Sequence, residues 1–540
     1  MMNRSIPVIA SACAVLIALS GCSAAGTQNT ETEPIISTAI TDPQNPLVPG
    51  NTAEPSGGRV VDELFAGLVS YDPDGTTRNE IASSITSNED ATEFTITLED
   101  GWTFTDGTPV TASSFADAWN YTANAANGQL NASFFDSIEG YEELQRDDVS
   151  ADETMSGLTV VDDLTLRVTM SKPDSAFPNK LGVNAYYPLP QSFYDDPEAF
   201  GQNPVGNGPY KLEEWDHGTS ITIVKNEDYH GNRTVRNGGI EFRIYTDTEA
   251  AYADAQAGNI DLLDSIPNSA LDTFQNEENL NAYSQPGSGI SMFSIPATAE
   301  HFGWDEEGRL RRQAISMAID RDAINEKIYD GRVTPATDFT SPRIPGYSDE
   351  LEGSDVLDYN PDKARELWEQ ANAISEWSGE FTLTYNADAG NKIWVDAVCN
   401  SIKNVLGIEA SGNPIATFSE LLQEVSDRAI TTAFRRAWTP DYPSMENYLA
   451  RQYASSAADG LGRNDVDYKN AEFDALIDQA ASAGSEEEAQ ALYQRSEEIL
   501  LRDLPAIPLW YGNVSGVYAK DVDNVEIDFK NIPVYEAITK

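Results

Sequence analysis

Runs of alternating apolar and polar positions mark the first strands of the chain. In EFTITLEDGWTFTDGTPV, Phe94, Ile96 and Leu98 share one face, and Asp100-Gly101 and Asp106-Gly107 supply turns, so short strands joined by tight turns are predicted. A helix follows from about Ser113, with Phe115, Ala118, Trp119 and Thr122 on one side. GTSITIVKN and GGIEFRIYT alternate Ile221/Ile223 and Ile240/Phe242/Ile244, which predicts two further strands of a sheet. Between the second of these and GNIDLL the alanine-rich stretch 248–257 reads as a helix, closed by Gly258 where left-handed backbone is needed.

Beyond residue 300 the period changes to that of helices. LRRQAISMAIDRDAINEKIY places Leu310, Ala314, Ala318, Ile319, Ala323 and Ile328 on one broad apolar face, predicting a single amphipathic helix. Asn360-Pro361-Asp362 is a cap, a first-turn proline and an acid at the positive end of the helix dipole, opening a helix through Leu367 and Trp368. EEEAQALYQRSEEILLRD forms the last long helix and stops before Pro505, after which AIPLWYGN and SGVYAKDVDNVEID return to strand patterning. Strands and helices alternate irregularly without a short repeat, so the fold class is mixed α and β with more than one sheet.

Composition bounds the rest. At 540 residues the chain exceeds the size at which single cores divide, so two or three domains are expected. Hydrophobic residues make up 40%, enough for a globular protein despite 88 acidic against 34 basic residues and a net charge of -54. That balance repels phosphate backbones and excludes nucleic acid as a partner. It suits an exported protein kept soluble by its charge.

The N-terminus carries Arg4, an apolar run from Ile6 to Leu19, then Leu19-Ser20-Gly21-Cys22. This is a secretory signal, 1–21, shorter than a membrane span. Its end resembles a bacterial lipobox, which implies cleavage before Cys22 and a diacylglyceryl anchor on that residue. Residues 22–34 then form a lipidated start and a flexible tether. Of three cysteines only Cys399 remains in the mature fold; Trp394, Val398, Ile402 and Val405 or Leu406 recur around it at helical spacing, so it reads as a buried structural thiol.

Catalytic and metal signatures are missing. There is no Gly-x-Ser-x-Gly elbow, and His217, His230 and His301 stand alone, none with a second histidine at ligand spacing. YDPDGTT lacks the later ligands of a calcium loop and reads as a turn. Paired carboxylates of a glycosidase stay open, because sequence cannot give their separation, and an exported hydrolase remains the rival from another class.

The ordered series ELFAGLVSYDPDG, DGWTFTDGTPVTASSF, NPVGNGPYKLEEWDHGTSITIVKNEDYHG, AGNIDLLDSIP, RLRRQAISMAIDRDAINEKIYDGRVTPA, YNPDKARELWEQA, AWTPDYPSMENYL and ILLRDLPAIPLWY resembles the solute-binding proteins of ABC importers for oligopeptides and dipeptides. The resemblance runs from about residue 40 to the C-terminus. It implies a two-lobed periplasmic-binding-protein-like clamp with an additional inserted domain, closing on its ligand by a hinge. Residues 35–75, 195–290 and 505–540 would form the first lobe, 76–194 the inserted domain and 291–504 the second lobe, with hinge crossings at QPGSGISMF, which contains Ser291, and near residue 504. It also implies a lipid-anchored monomer outside the cell membrane, no cofactor, and partners in a permease and its cytoplasmic ATPases.

Within FRRAWTPDYPSMENYL, Asp441 matches the family position that receives the α-ammonium of a bound peptide. An ammonium brings both a charge and three donors to such a carboxylate. Trp438 would form an apolar wall and Tyr442 would orient the turn. Arg435 either meets a peptide carbonyl or carboxylate, or neutralises Asp441; Arg436 is expected to face outward. Pro440 and Ser444 depart from commoner versions of the turn, leaving its contacts open. Histidine scarcity disfavours nickel complexes, while an oligosaccharide remains an alternative ligand given nine tryptophans.

Overall fold

Two long antiparallel strands, Leu280–Ser294 and Ala506–Ala519, organise the computed structural model, which describes residues 33–540. The signal segment, Cys22 and most of the tether therefore lie outside the described residues. Leu280–Pro286 pairs with Asn513–Ala519, and Ile290–Ser294 pairs with Ala506–Tyr511. The register shifts between Pro286 and Ile290, at Gly287-Ser288-Gly289. A Cβ on Gly287 would stand 2.8 Å from the Gly512 carbonyl oxygen, so this close approach of backbones requires glycine.

The two strands are shared by the halves of one sheet. On one side Ala506–Ala519 meets Leu262–Leu263, then Ile35–Ile40, Gly239–Ile244, Ser220–Lys225 and Tyr210–Asp216. On the other, Leu280–Ser294 meets Ala433–Trp438, then Phe381–Asn386 and Ala410–Ile415. Ile240 faces Ile223 and Phe242 faces Ile221 across one antiparallel pair, all four fully buried, as the alternation predicts. A separate four-stranded antiparallel sheet joins Ala82–Ser87, Glu93–Leu98, Thr165–Thr169 and Leu158–Asp162. Its Phe94, Ile96 and Leu98 are buried against the helix Ala112–Ala123, whose Trp119 donates to the Tyr186 carbonyl at 2.9 Å.

Apolar side chains gather in two large clusters. One draws on Ile290 to Tyr511, the other on Ile36 to Leu262 with Val522, Tyr535 and Ile538 from the C-terminal segment. Helices Pro361–Ile374, Lys392–Leu406 and Glu486–Asp503 pack on the first, with the Asn360 and Gly258 caps placed as their sequences predict. Cys399 is buried there, and burial pushes its thiol up to about 12.

The stretch 310–329 is not one helix. Glu306–Met317 ends, Asp320 caps a new start by accepting from Ala323 N, and Arg321–Ile324 passes into a wider turn over Asn325–Tyr329. Arg321 explains the break. Its buried guanidinium donates to the Pro508 carbonyl at 2.8 and 3.0 Å and to the Ser316 carbonyl at 3.1 Å, satisfying backbone that a straight helix would not reach. The C-terminal pattern also differs: AIPLWYGN and the start of SGVYAK form one continuous strand, and beyond Ala519 only isolated bridges remain.

Candidate functional site

Strand Ala433–Trp438 runs beside the second half of Leu280–Ser294, pairing Trp438 with Ile290 and Ala437 with Ser291. Pro440 has no N–H to continue the ladder, so the chain turns through Asp441 before helix Met445–Tyr453, capped by Ser444. Asn447, fully buried on that helix, fixes the turn: its Oδ1 accepts from Trp438 Nε1 at 3.0 Å and from Asp441 N at 3.3 Å, and its Nδ2 donates to Asp441 Oδ2 at 3.3 Å. Arg451, one helical turn further on, places Nη1 3.6 Å from Asp441 Oδ2. The Asp441 carboxylate keeps 39% of its exposure. A carboxylate oriented by a buried amide and still open to solvent can receive a cation.

The other residues of the motif divide. Trp438 is half-buried against the second-half core. Tyr442 is buried in the opposite cluster, its hydroxyl donating to Glu446 and its ring 5.4 Å from Lys180 Nζ, so it braces the turn from behind. Arg435 does not neutralise Asp441: its Nη1 donates to Asn386 Oδ1 at 3.1 Å, and burial pulls its guanidinium below the usual value while Asp388 pushes the other way. Arg436 corrects the outward expectation. It is buried, donates to the Arg463 carbonyl and lies 5.5 Å from the Tyr453 ring, because period two puts it on the same face as Phe434. Ser291 is half-buried between Ala437 and Trp510.

A cavity of about 680 Å³ opens along the crossing strands, between Asp264 and Ile266 on one side and Tyr329, Arg332 and Trp394 on the other. Gly289 lines it, and a Cβ at Gly289 would lie 3.2 Å from Thr439 Oγ1, so Thr439 of the turn neighbours a lining residue, while Asp441 itself does not line the cavity. Behind two of its lining aromatics lies buried Trp510, with centroids 5.1 Å from Tyr329 and 5.6 Å from Trp394. Trp394 Nε1 donates to Asn391, whose amide donates to Asn386, the acceptor of Arg435; a polar relay thus joins the cavity to the motif strand. Arg59 holds Asp264 at 2.6 Å, and Arg332 reaches Asp272 at 3.2 Å. Sequence reading missed Trp394, Tyr329, Arg332, Asn447 and Arg451. For the last two a signal existed, since they stand four apart on one face of the helix after Ser444. Among the described residues no group of three or more His, Cys, Asp or Glu is arranged to hold a metal ion.

Residues 76–460 match the bacterial extracellular solute-binding proteins, family 5 Middle. The chain belongs to this family. As a family 5 solute-binding protein it is 27% identical over 462 residues to the dipeptide-binding protein DppE of Bacillus subtilis, covering 84% of this chain and 82% of that one. To the oligopeptide-binding protein OppA of the same organism it is 23% identical over 503 residues, covering 90% of each. Its fold matches the unliganded open form of the periplasmic murein tripeptide-binding protein MppA with a TM-score of 0.83 at 21% identity, over 94% of this chain and 97% of that one. The mixed α/β fold is therefore that of the two-lobed periplasmic binding proteins. No helix of the described residues is long and apolar enough to cross a membrane.

Proposed function

We propose that this solute-binding protein captures oligopeptides or dipeptides outside the cell, without transforming them, and delivers them to the permease of an ABC importer. The observation that carries the reading is the Asp441 carboxylate, oriented by buried Asn447, two-fifths open to solvent, on a turn whose Thr439 neighbours the cavity-lining Gly289. The names of its relatives, dipeptide-binding and oligopeptide-binding, favour the same ligand class. Trp438 walls the apolar part of the site, Ser291 lies on the hinge strand beneath it, and Arg435, with its relay to Trp394, is available to a peptide carbonyl or carboxylate. Tyr442 acts by holding the turn.

In this reading 35–75, 195–290 and the C-terminal segment form one lobe, 76–194 the inserted domain and the chain from 291 the other lobe. Because Ile507, Leu509 and Tyr511 pack with the second-lobe core, the return crossing belongs near 512–514 rather than near 504. Cys22 is the lipidated mature N-terminus and holds the monomeric receptor at the membrane. Mass spectrometry of the full-length protein purified from membranes and exposed to a peptide library tests both claims. The expected result is retained, uncleaved peptides and a diacylglyceryl mass on Cys22. Cleaved products would establish the hydrolase alternative, and an unmodified Cys22 would refute the anchor.

A further inference from the structure

The Asp441 carboxylate already has a cationic partner, and its geometry is that of a partner made to leave. Arg451 approaches to 3.6 Å, beyond hydrogen-bond reach, with both side chains about two-fifths exposed (42% and 39%). An exposed pair at that separation is weakly held. Arg451 and Asn447 meet the same oxygen, Oδ2, but Asn447 is fixed by three hydrogen bonds and buried, whereas Arg451 stands in the last turn of a nine-residue helix on a long, rotatable side chain. Acidic groups surround the guanidinium. Burial opposes its charge, yet the carboxylates of Asp441, Glu446 and Asp136 favour it, so the pocket suits a cation at this position.

We infer that Arg451 is a resident cation that keeps Asp441 compensated in the empty receptor and is exchanged for the ammonium of an arriving ligand. The inference rests on the peptide reading above. It makes Arg451 a specificity residue: a ligand with a free amine displaces the guanidinium and recovers the ion pair, whereas a ligand without one makes no pair with Asp441 whether or not the guanidinium is there. Exchange keeps the charge balance of the pocket constant, since one cation leaves as another enters and no proton moves.

The test uses the full-length receptor and two forms of one library of tri- to pentapeptides, with free and with acetylated amino termini. Retention is read by mass spectrometry for wild type, Arg451→Gln, Arg451→Lys and Asp441→Asn. Removing the competitor in Arg451→Gln is expected to raise retention of free-amine peptides by about three- to tenfold and to leave acetylated peptides unchanged. Arg451→Lys, which restores a resident cation, should fall back towards wild type. Equal gains for both libraries, no gain, or a loss in Arg451→Gln overturns the exchange. If wild type prefers free amines and Asp441→Asn abolishes that preference while Arg451→Gln gains nothing, the peptide reading stands and only the exchange fails. If wild type shows no preference for free amines, the reading itself fails and the exchange with it.

Discussion

At the scale of single residues, Asn447 does more to define the site than the charged groups around it. Its amide satisfies the Trp438 indole, the Asp441 backbone and the Asp441 carboxylate at once, from a fully buried position. Asn447→Ala leaves two donors without their acceptor and is expected to cost about 1–3 kcal/mol in urea unfolding, together with a loss of peptide affinity. Unchanged affinity in a folded Asn447→Ala protein would show that the carboxylate needs no such support. The turn that holds Asp441 and Trp438 was singled out in the sequence because its motif carries the family resemblance. The fates of the two arginines were less so. Period-two alternation from Phe434 puts Arg436 inside, but two adjacent long cations give no hydropathy contrast by which to fix the parity, and the partner of Asp441 came from ten residues away on the next helix.

At the scale of elements, patterning located the strands Ser220–Lys225 and Gly239–Ile244 and the helices Thr248–Ala257 and Glu486–Asp503, since each repeats its period with a recognisable cap or stop. It failed where a buried polar group redirects the chain. The break after Met317 depends on Arg321 reaching Pro508, a contact invisible to periodicity; burial, outweighing the opposing pull of Asp358 and Asp322, lowers that guanidinium to about 10. A second buried polar feature predicts pH dependence. Glu497 on the last long helix and Asp338 are both fully buried beside each other, with Thr340 as the neighbouring donor, and two carboxyls bond to one another only by sharing a proton. Burial first, then the Asp338 charge, pushes the Glu497 carboxyl well above the usual range, and burial raises Asp338 as well. A folded-state value above the unfolded one means that stability declines as pH rises from the ordinary glutamate range towards the raised one. Glu497→Gln donates an amide hydrogen to Asp338 without titrating. Its Tm should exceed that of wild type at about pH 8, with the gap narrowing towards about pH 5. A gap independent of pH would refute the shared proton.

At the scale of the molecule, the two long strands let one sheet serve both lobes while a glycine-rich irregularity, Gly287-Ser288-Gly289, interrupts their pairing where the cores change over. Motion concentrated there would carry Trp438 and Asp441, tied to Ile290 by strand pairing, against the opposite wall of the cavity. The account therefore stands on one contact made on closure, between the Asp441 carboxylate and the ammonium of a peptide. Titration calorimetry of one retained peptide and its N-acetylated form against wild type and Asp441→Asn measures it directly. Each single change should weaken binding by about 2 kcal/mol or more, since it strips a charge-assisted pair in a closed cleft. The two changes together should cost little more than either alone, because both remove the same contact. Penalties that simply add, or an Asp441→Asn receptor that binds within about threefold of wild type, would contradict the account.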